Sequence, residues 1–467
     1  MLENNTDDEK NILQKLNAAI SPPRLFLILG LTFGLLWLII TPPFQAPDEN
    51  EHFLRAYQIS CGKIISVWKG DAIGGYFSRR ILDTVNDINP GMPEHPGVKQ
   101  DIHKVFSFLK HPPGDETMHF RILPLFDYPP ISYLPHIAGL LLGKLFRASP
   151  LLLLYLGRFA NLLFWITLVF LSLKLLPGKQ ILFVLIALMP MSLFLASTFS
   201  PDAVINSISL LYIAIVLHLA RPETNLNRNW LLLILVLSLA ITLTKSVYIV
   251  ITFLFLIIPM EKFASRKQYI AFFALMVFTC LLSYVVWHNL IHGVVGQVFA
   301  VCSPELQTKF ILRHPLKLFQ ITAQTFWAYK TFYIASHIGK LGWLDTPLPL
   351  WVILSYLVML FFMALYDNNL KIGLWKKIVF LGTIGVGVLG VNFALYLLCT
   401  PVGAKYVIGL QGRYYIIFAP LFWMLFDNKI VKEKIGKIKY LNLAVLFFLI
   451  VILMTTTVTL LQRYYSF

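Results

Sequence analysis

The sequence predicts an all-α integral membrane protein of about eleven transmembrane helices. Three observations carry that expectation. Hydrophobic residues make up 57% of the chain and charged residues only 13%, whereas a soluble domain carries about a quarter charged. Apolar runs of roughly 20 residues recur from end to end, which leaves no room for a large soluble domain. Lys and Arg collect in alternate short loops, as the positive-inside rule requires. The formal charge of +16 therefore reads as topology, and no nucleic-acid partner is expected.

Residues 1–23 are polar and mixed in charge, without the basic start and small-residue cleavage site of a signal peptide, so the first apolar run is expected to be retained inside a cytoplasmic start. The membrane module is expected over 24–426, and a basic inner loop with a last helix over 427–467. The first span, Leu25 to Ile40, opens a long outer loop at 42–150. Within it Ile131 to Phe146 is apolar but too short to cross, and fits an interfacial helix. Leu151–Leu173, Ile181–Thr198 and Ala203–Ala220 follow as spans. Trp230 to Met260 is too long for one helix and is interrupted by Thr244-Lys245-Ser246, so two short spans turning at Lys245 are expected. Tyr269–Trp287 leads to a second outer region at 288–349. There Leu316–Ile334 is the one stretch whose crossing is left open. Leu350–Tyr366, Ile378–Cys399, Tyr415–Phe426 and Leu441–Leu461 complete the count.

Cys61, Cys280, Cys302 and Cys399 show no metal-ligand spacing; a Cys61–Cys302 disulfide is left open. Chemistry-bearing residues concentrate in Thr41–Gly62, directly after the first span. Asp48, Glu49, Glu51, His52 and Arg55 fall within eight residues there. Carboxylates at that boundary suit acid–base or metal chemistry on a lipid-linked substrate. They also suit a solvated helix start, and Pro42, Pro43 and Pro47 suit a helix end.

The ordered motifs PPFQAPDENEHFLRAYQISCGK, YPPISYLPH, LYLGRFANLL, ALMPMSLFLASTFSPDAV, TKSVY and GLQGRYY run from about residue 41 to 420. Together they resemble the bacterial multi-pass family called domain of unknown function 2142. More distantly, the chain resembles the GT-C glycosyltransferases, which take sugar from polyprenyl-phosphate or related lipid donors outside the membrane. It lacks their large C-terminal soluble domain and the WWDYG motif of oligosaccharyltransferases, so transfer onto an Asn sequon is not expected.

The GT-C resemblance implies a catalytic acid at Asp48-Glu49, a proline-led interfacial helix at Tyr128-Pro129-Pro130, an outer Arg at Arg158 and a second acid at Asp202. It implies a polyprenyl-phosphate sugar donor, a glycan or glycolipid acceptor, surrounding lipid, and an outer-face site in the bacterial inner membrane. Sugar transfer from a lipid phosphate needs a base for the acceptor hydroxyl, negative charge near an oxocarbenium-like centre, and cations for the leaving phosphate. Asp48 is the expected base, with Glu49 its partner or substitute and Asp202 a second carboxylate. Arg158, Lys245 and Arg413 are the expected phosphate cations. His52, Arg55, Tyr128, Gln411 and Tyr414 complete the expected substrate contacts. Asp48 and Asp202 are also the only candidate ligands for Mg²⁺ or Mn²⁺, which no spacing here demands. Each has a bland alternative: Asp202 as a helix start, Arg158 as a snorkelling cation. A flippase for lipid-linked sugars and a non-catalytic assembly partner are the competing functions.

Overall fold

A computed structural model describes residues 20–110, 117–292, 303–367, 370, 372–436 and 438–466. The N-terminal segment before residue 20 and Cys302, with the disulfide it was considered for, lie outside them. Among the described residues six helices are long and apolar enough to cross a membrane: α1 (Pro22–Ile40), α6 (Pro150–Leu175), α9 (Pro201–Leu219), α11 (Arg266–His292), α15 (Leu374–Leu398) and α18 (Leu441–Tyr464). Three shorter apolar helices accompany them: α10 (Arg228–Thr244), a 3₁₀ helix over Ser246–Ile257, and α14 (Leu350–Tyr366).

The bundle has a centre and a rim. Helix α9 is 94% buried across its apolar window, and α11 only 11%. A helix that is apolar on every face needs apolar surroundings everywhere, and α9 finds them in protein while α11 is left for lipid. The expected span at Ile181–Thr198 is broken in two, α7 (Gln180–Ala187) and α8 (Pro190–Ala196). Pro190 lacks the N–H a continuing helix would use, and every residue of α8 is buried, so the break costs no contact with lipid.

The chain turns at Lys245, as expected. Lys245 is extended (φ −150°, ψ 105°), and the helices on either side pack together. The second arm is a twelve-residue 3₁₀ helix, which rises about 2.0 Å per residue and so runs longer than an α-helix of the same count. A second 3₁₀ turn, Gly412–Phe418, runs into the short α16 (Ala419–Met424).

The first outer segment folds into α2 (Glu49–Ser60), a three-stranded antiparallel sheet and α5 (Leu134–Leu145). The strands are β1 (Val67–Lys69), β2 (Ala72–Ser78) and β3 (Met118–Ile122), in the order β1-β2-β3. Helix α5 does not reach span length, and it rests on α6 through small residues. A Cβ added at Gly139 would lie 2.3 Å from the Leu156 carbonyl oxygen. Gly139 and Gly143 stand four apart, the spacing that lets helix backbones approach. The stretch left open at Leu316–Ile334 lies in α13 (Lys317–Ile338), kinked at Tyr329 and not apolar enough to rank among the six.

The end of the chain closes on its beginning. Arg463 of α18 pairs with Asp345 at 2.7 Å and donates to the carbonyls of Val98 and Met92. Trp343, in the hairpin of β4 (Lys340–Leu341) and β5 (Thr346–Pro347), donates to the Phe44 carbonyl at 3.0 Å. Trp37 of α1 donates to Thr457 of α18 at 2.8 Å.

Candidate functional site

The site forms where five chain segments meet at one end of the bundle: the start of α2, the Tyr128–Tyr133 turn, the start of α9, the Lys245 turn and the Gln411–Tyr414 stretch. Asp48 is the exposed residue of an otherwise buried run, with Thr41–Pro47 before it and Glu49 after it. Its backbone is left-handed (φ 59°, ψ 15°), a conformation Asp and Asn tolerate better than other non-glycine residues. That turn throws Asp48 outward while Glu49 points into the protein.

Glu49 is held from several sides. Arg158 Nε and Nη2 donate to its two carboxylate oxygens at 2.7 Å each, and the Phe199 backbone N–H donates to Oε1 at 2.7 Å. Arg158 spends its other donors on the carbonyls of Leu38, Thr41 and Pro42. Both side chains are completely buried, and every N–H of the guanidinium is used. One turn along α6, Asn161 donates to the Thr198 carbonyl at 3.0 Å. Glu49, Arg158 and Asn161 thus fix the end of α1 and the corner before α9. In this conformation neither Glu49 nor Arg158 presents an atom to a ligand.

That corner delivers Asp202. Ser200 caps α9, Pro201 occupies its first turn, and Asp202 follows. The helix-start role exists, yet the carboxylate is turned to the site: Lys245 Nζ hydrogen-bonds one oxygen and Arg413 Nη1 lies 3.6 Å from the other. Asp48 stands in the same field. Protein crowding raises its carboxyl above the ordinary range, Arg413 opposes the rise, Asp202 adds to it and Lys245 opposes it.

Aromatic rings close the flanks. Lys245 Nζ sits 5.3 Å from the Tyr414 ring centre and 6.0 Å from that of Tyr128. Tyr248 donates to the Tyr414 carbonyl at 2.9 Å, which ties the Lys245 turn to the Gln411–Tyr414 stretch. His52 stands edge-on to Tyr128, and its Nδ1 lies 2.7 Å from the Tyr133 hydroxyl. Burial pulls the His52 pKa well below the usual histidine value, so the imidazole is neutral at pH 7. Arg55 is fully buried and donates to the carbonyls of Tyr128 and Ile64 and to Gln58. It holds Tyr128 in place, with its donors spent on the protein.

Arg413 differs from the other buried arginines. Its Nε has no partner among the described residues, and the same holds for Gln411 Oε1. Gly412 between them approaches α13, not a ligand: a Cβ there would meet the Tyr333 carbonyl oxygen at 2.0 Å. Gly409 takes the left-handed turn just before (φ 78°).

The structure therefore brings together Asp48, His52, Tyr128, Asp202, Lys245, Gln411, Arg413 and Tyr414, and sets Glu49, Arg55 and Arg158 behind them. Sequence reasoning left out Tyr248, Tyr133 and Asn161, whose roles come from tertiary partners. It named Glu51 among the charges after the first span but gave it no role, and it left Arg121 out; the two pair at 3.1 Å beside Asp48. Among the described residues no three His, Cys, Asp or Glu side chains gather as for a metal ion. Each Asp202 oxygen already faces a cation, so this donor set does not fit Mg²⁺ or Mn²⁺.

Apolar spans around a charged, aromatic-flanked site at one end define a multi-pass helical membrane protein with a built polar centre. The chain belongs to the family described as predicted membrane protein, domain of unknown function 2142, whose model matches residues 31–425. Neither a curated protein nor a solved structure matches it.

Proposed function

We propose that the protein is an inverting, GT-C-like glycosyltransferase. It would move a sugar from a polyprenyl-phosphate donor to a glycan or glycolipid acceptor at the outer face of the bacterial inner membrane. The observation that carries this reading is the contrast among the four arginines buried among the described residues. Arg55, Arg158 and Arg463 spend their donors on carbonyls and side chains of the protein, while Arg413 keeps an unpartnered Nε beside Lys245. Two cations, one of them under-used, suit the oxygens of a leaving phosphate.

In the reaction the acceptor hydroxyl attacks the anomeric carbon and gives its proton to the Asp48 carboxylate. The bond from that carbon to the phosphate oxygen breaks, and the polyprenyl phosphate departs with the electron pair. Lys245 and Arg413 offset its charge. Asp202 holds both cations in position and supplies negative charge near the sugar. Tyr128 and Tyr414 offer faces on which a sugar ring stacks. Glu49, Arg158 and Arg55 act as positioning residues, and no step passes through a metal. The same reading takes the broken 180–196 and 412–424 segments as spans, giving eleven with the site outside.

The test is reconstitution in liposomes with a radiolabelled polyprenyl-phosphate sugar and an extract of envelope glycans. Transfer of label is expected. Asp48→Asn, which keeps the left-handed backbone, should lower it by about 10²–10⁴-fold. Label that crosses the bilayer without transfer would establish a flippase, and neither outcome would leave an assembly partner.

A further inference from the structure

Three polar atoms beside Asp48 are buried with no partner among the described residues: Asn50 Oδ1, Glu51 Oε2 and Arg121 Nε. They belong to one cluster. Asn50 Nδ2 donates to Glu51 Oε1 at 3.2 Å, and Arg121 Nη2 donates to the same oxygen at 3.1 Å. Glu51 follows Asp48 by three residues, and Asp48's charge reaches its carboxyl. Arg121 comes from β3, opposite Gly75 of β2, and is 40% exposed while Glu51 is 12% exposed.

A Glu–Arg staple holding the sheet onto α2 would account for the one oxygen both partners share. It does not account for the rest. A buried polar atom left dry costs about 1–3 kcal/mol, and native proteins keep few of them. The three loose ends are two acceptors and one donor. A phosphate, itself all acceptor oxygens, would be repelled by the first two. A hydroxyl fits, because it donates its proton to a carboxylate or amide oxygen and accepts from a guanidinium N–H.

We propose that Asn50, Glu51 and Arg121 form a carbohydrate-hydroxyl-binding arm of the site, beside Asp48 on the first turn of α2 and distinct from Lys245 and Arg413. It takes the acceptor sugar, and the word acceptor rests on the transferase reading. The site then has two parts that share Asp48 as a neighbour: cations that grip the lipid phosphate and a mixed cluster that grips hydroxyls.

The experiment uses the full chain in lipid nanodiscs, with methyl glycosides of glucose, galactose and mannose as probes in saturation-transfer NMR. Farnesyl phosphate is titrated separately for the cationic side. At least one glycoside should bind the parent. Arg121→Lys keeps an ion pair with Glu51 but places no donor where Nε stands, so binding should weaken about tenfold, one hydrogen bond's worth. Glu51→Gln should weaken it similarly, with farnesyl phosphate binding and melting temperature unchanged in both. Glycoside binding absent from the parent, or undiminished in Arg121→Lys, overturns the proposal and leaves the pair a staple. Loss of glycoside binding in the variants, from a parent that ignores farnesyl phosphate, sinks the transferase reading while this arm stands.

Discussion

Two arginines make the residue-scale case, since both were candidates for the same phosphate. Arg158 is saturated and sealed with Glu49; Arg413 is neither. Arg158→Met should therefore strand a buried carboxylate and cost roughly 3–5 kcal/mol of stability, read as a large fall in melting temperature in detergent. Arg413→Met should fold normally and bind farnesyl phosphate about tenfold or more weakly. The reverse pattern would exchange their roles. Asp48 adds a pH signature. A base must be ionised to accept a proton, and crowding raises its pKa above the ordinary carboxylate value. Transfer should fall as pH is lowered through that raised value, beginning above the pH of about 4 where an ordinary carboxyl would protonate. A profile flat down to pH 4 would remove Asp48 from the base role.

At the scale of elements, the site depends on contacts between backbones. The Tyr128–Tyr133 turn leads into α5, and α5 reaches its place only because Gly139 lies on the Leu156–Gly157 backbone of α6. Ser132 of the same turn donates to the Thr244 carbonyl at 3.2 Å, so the turn also props Lys245. Gly139→Leu should force α5 off α6, at about 1–3 kcal/mol for overpacking. It should also weaken farnesyl phosphate binding although residue 139 is not in the site. Thermal unfolding and the same titration check both effects. Loss of stability without loss of binding would show that α5 does not set the turn.

For the whole molecule the decisive quantity is the side on which each loop lies. In a cysteine-free background, single cysteines replacing Glu94 or Val402 should react with a membrane-impermeant maleimide on intact cells. Cysteines replacing Asn225, Lys267 or Lys434 should react only after permeabilisation. These positions are exposed, so silence reports topology and not burial. Outside labelling at 225 or 267 would mean that the arms on either side of Lys245 do not form a hairpin of two spans.

Composition and the Lys/Arg asymmetry were enough to make this an all-α membrane protein, since apolar runs of such length have no other stable use. The Lys245 turn was legible because an ammonium at mid-membrane is costly. Asp48, Asp202 and Arg413 were legible as charges at the ends of apolar runs. What the sequence left open is which charge faces which neighbour. Glu49 and Asp48 are adjacent and chemically alike, yet a left-handed residue sends one outward and the other onto Arg158. Arg158 and Arg413 look equivalent in a string, and only their hydrogen-bond partners, over a hundred residues away in the first case, separate a frame from a site. Glu51 and Arg121 meet because β2 and β3 pair in one register, which no local pattern encodes. Hydropathy is a property of segments and can be read along the chain. The pairing of buried charges is a property of packing, and the tertiary structure alone decided it.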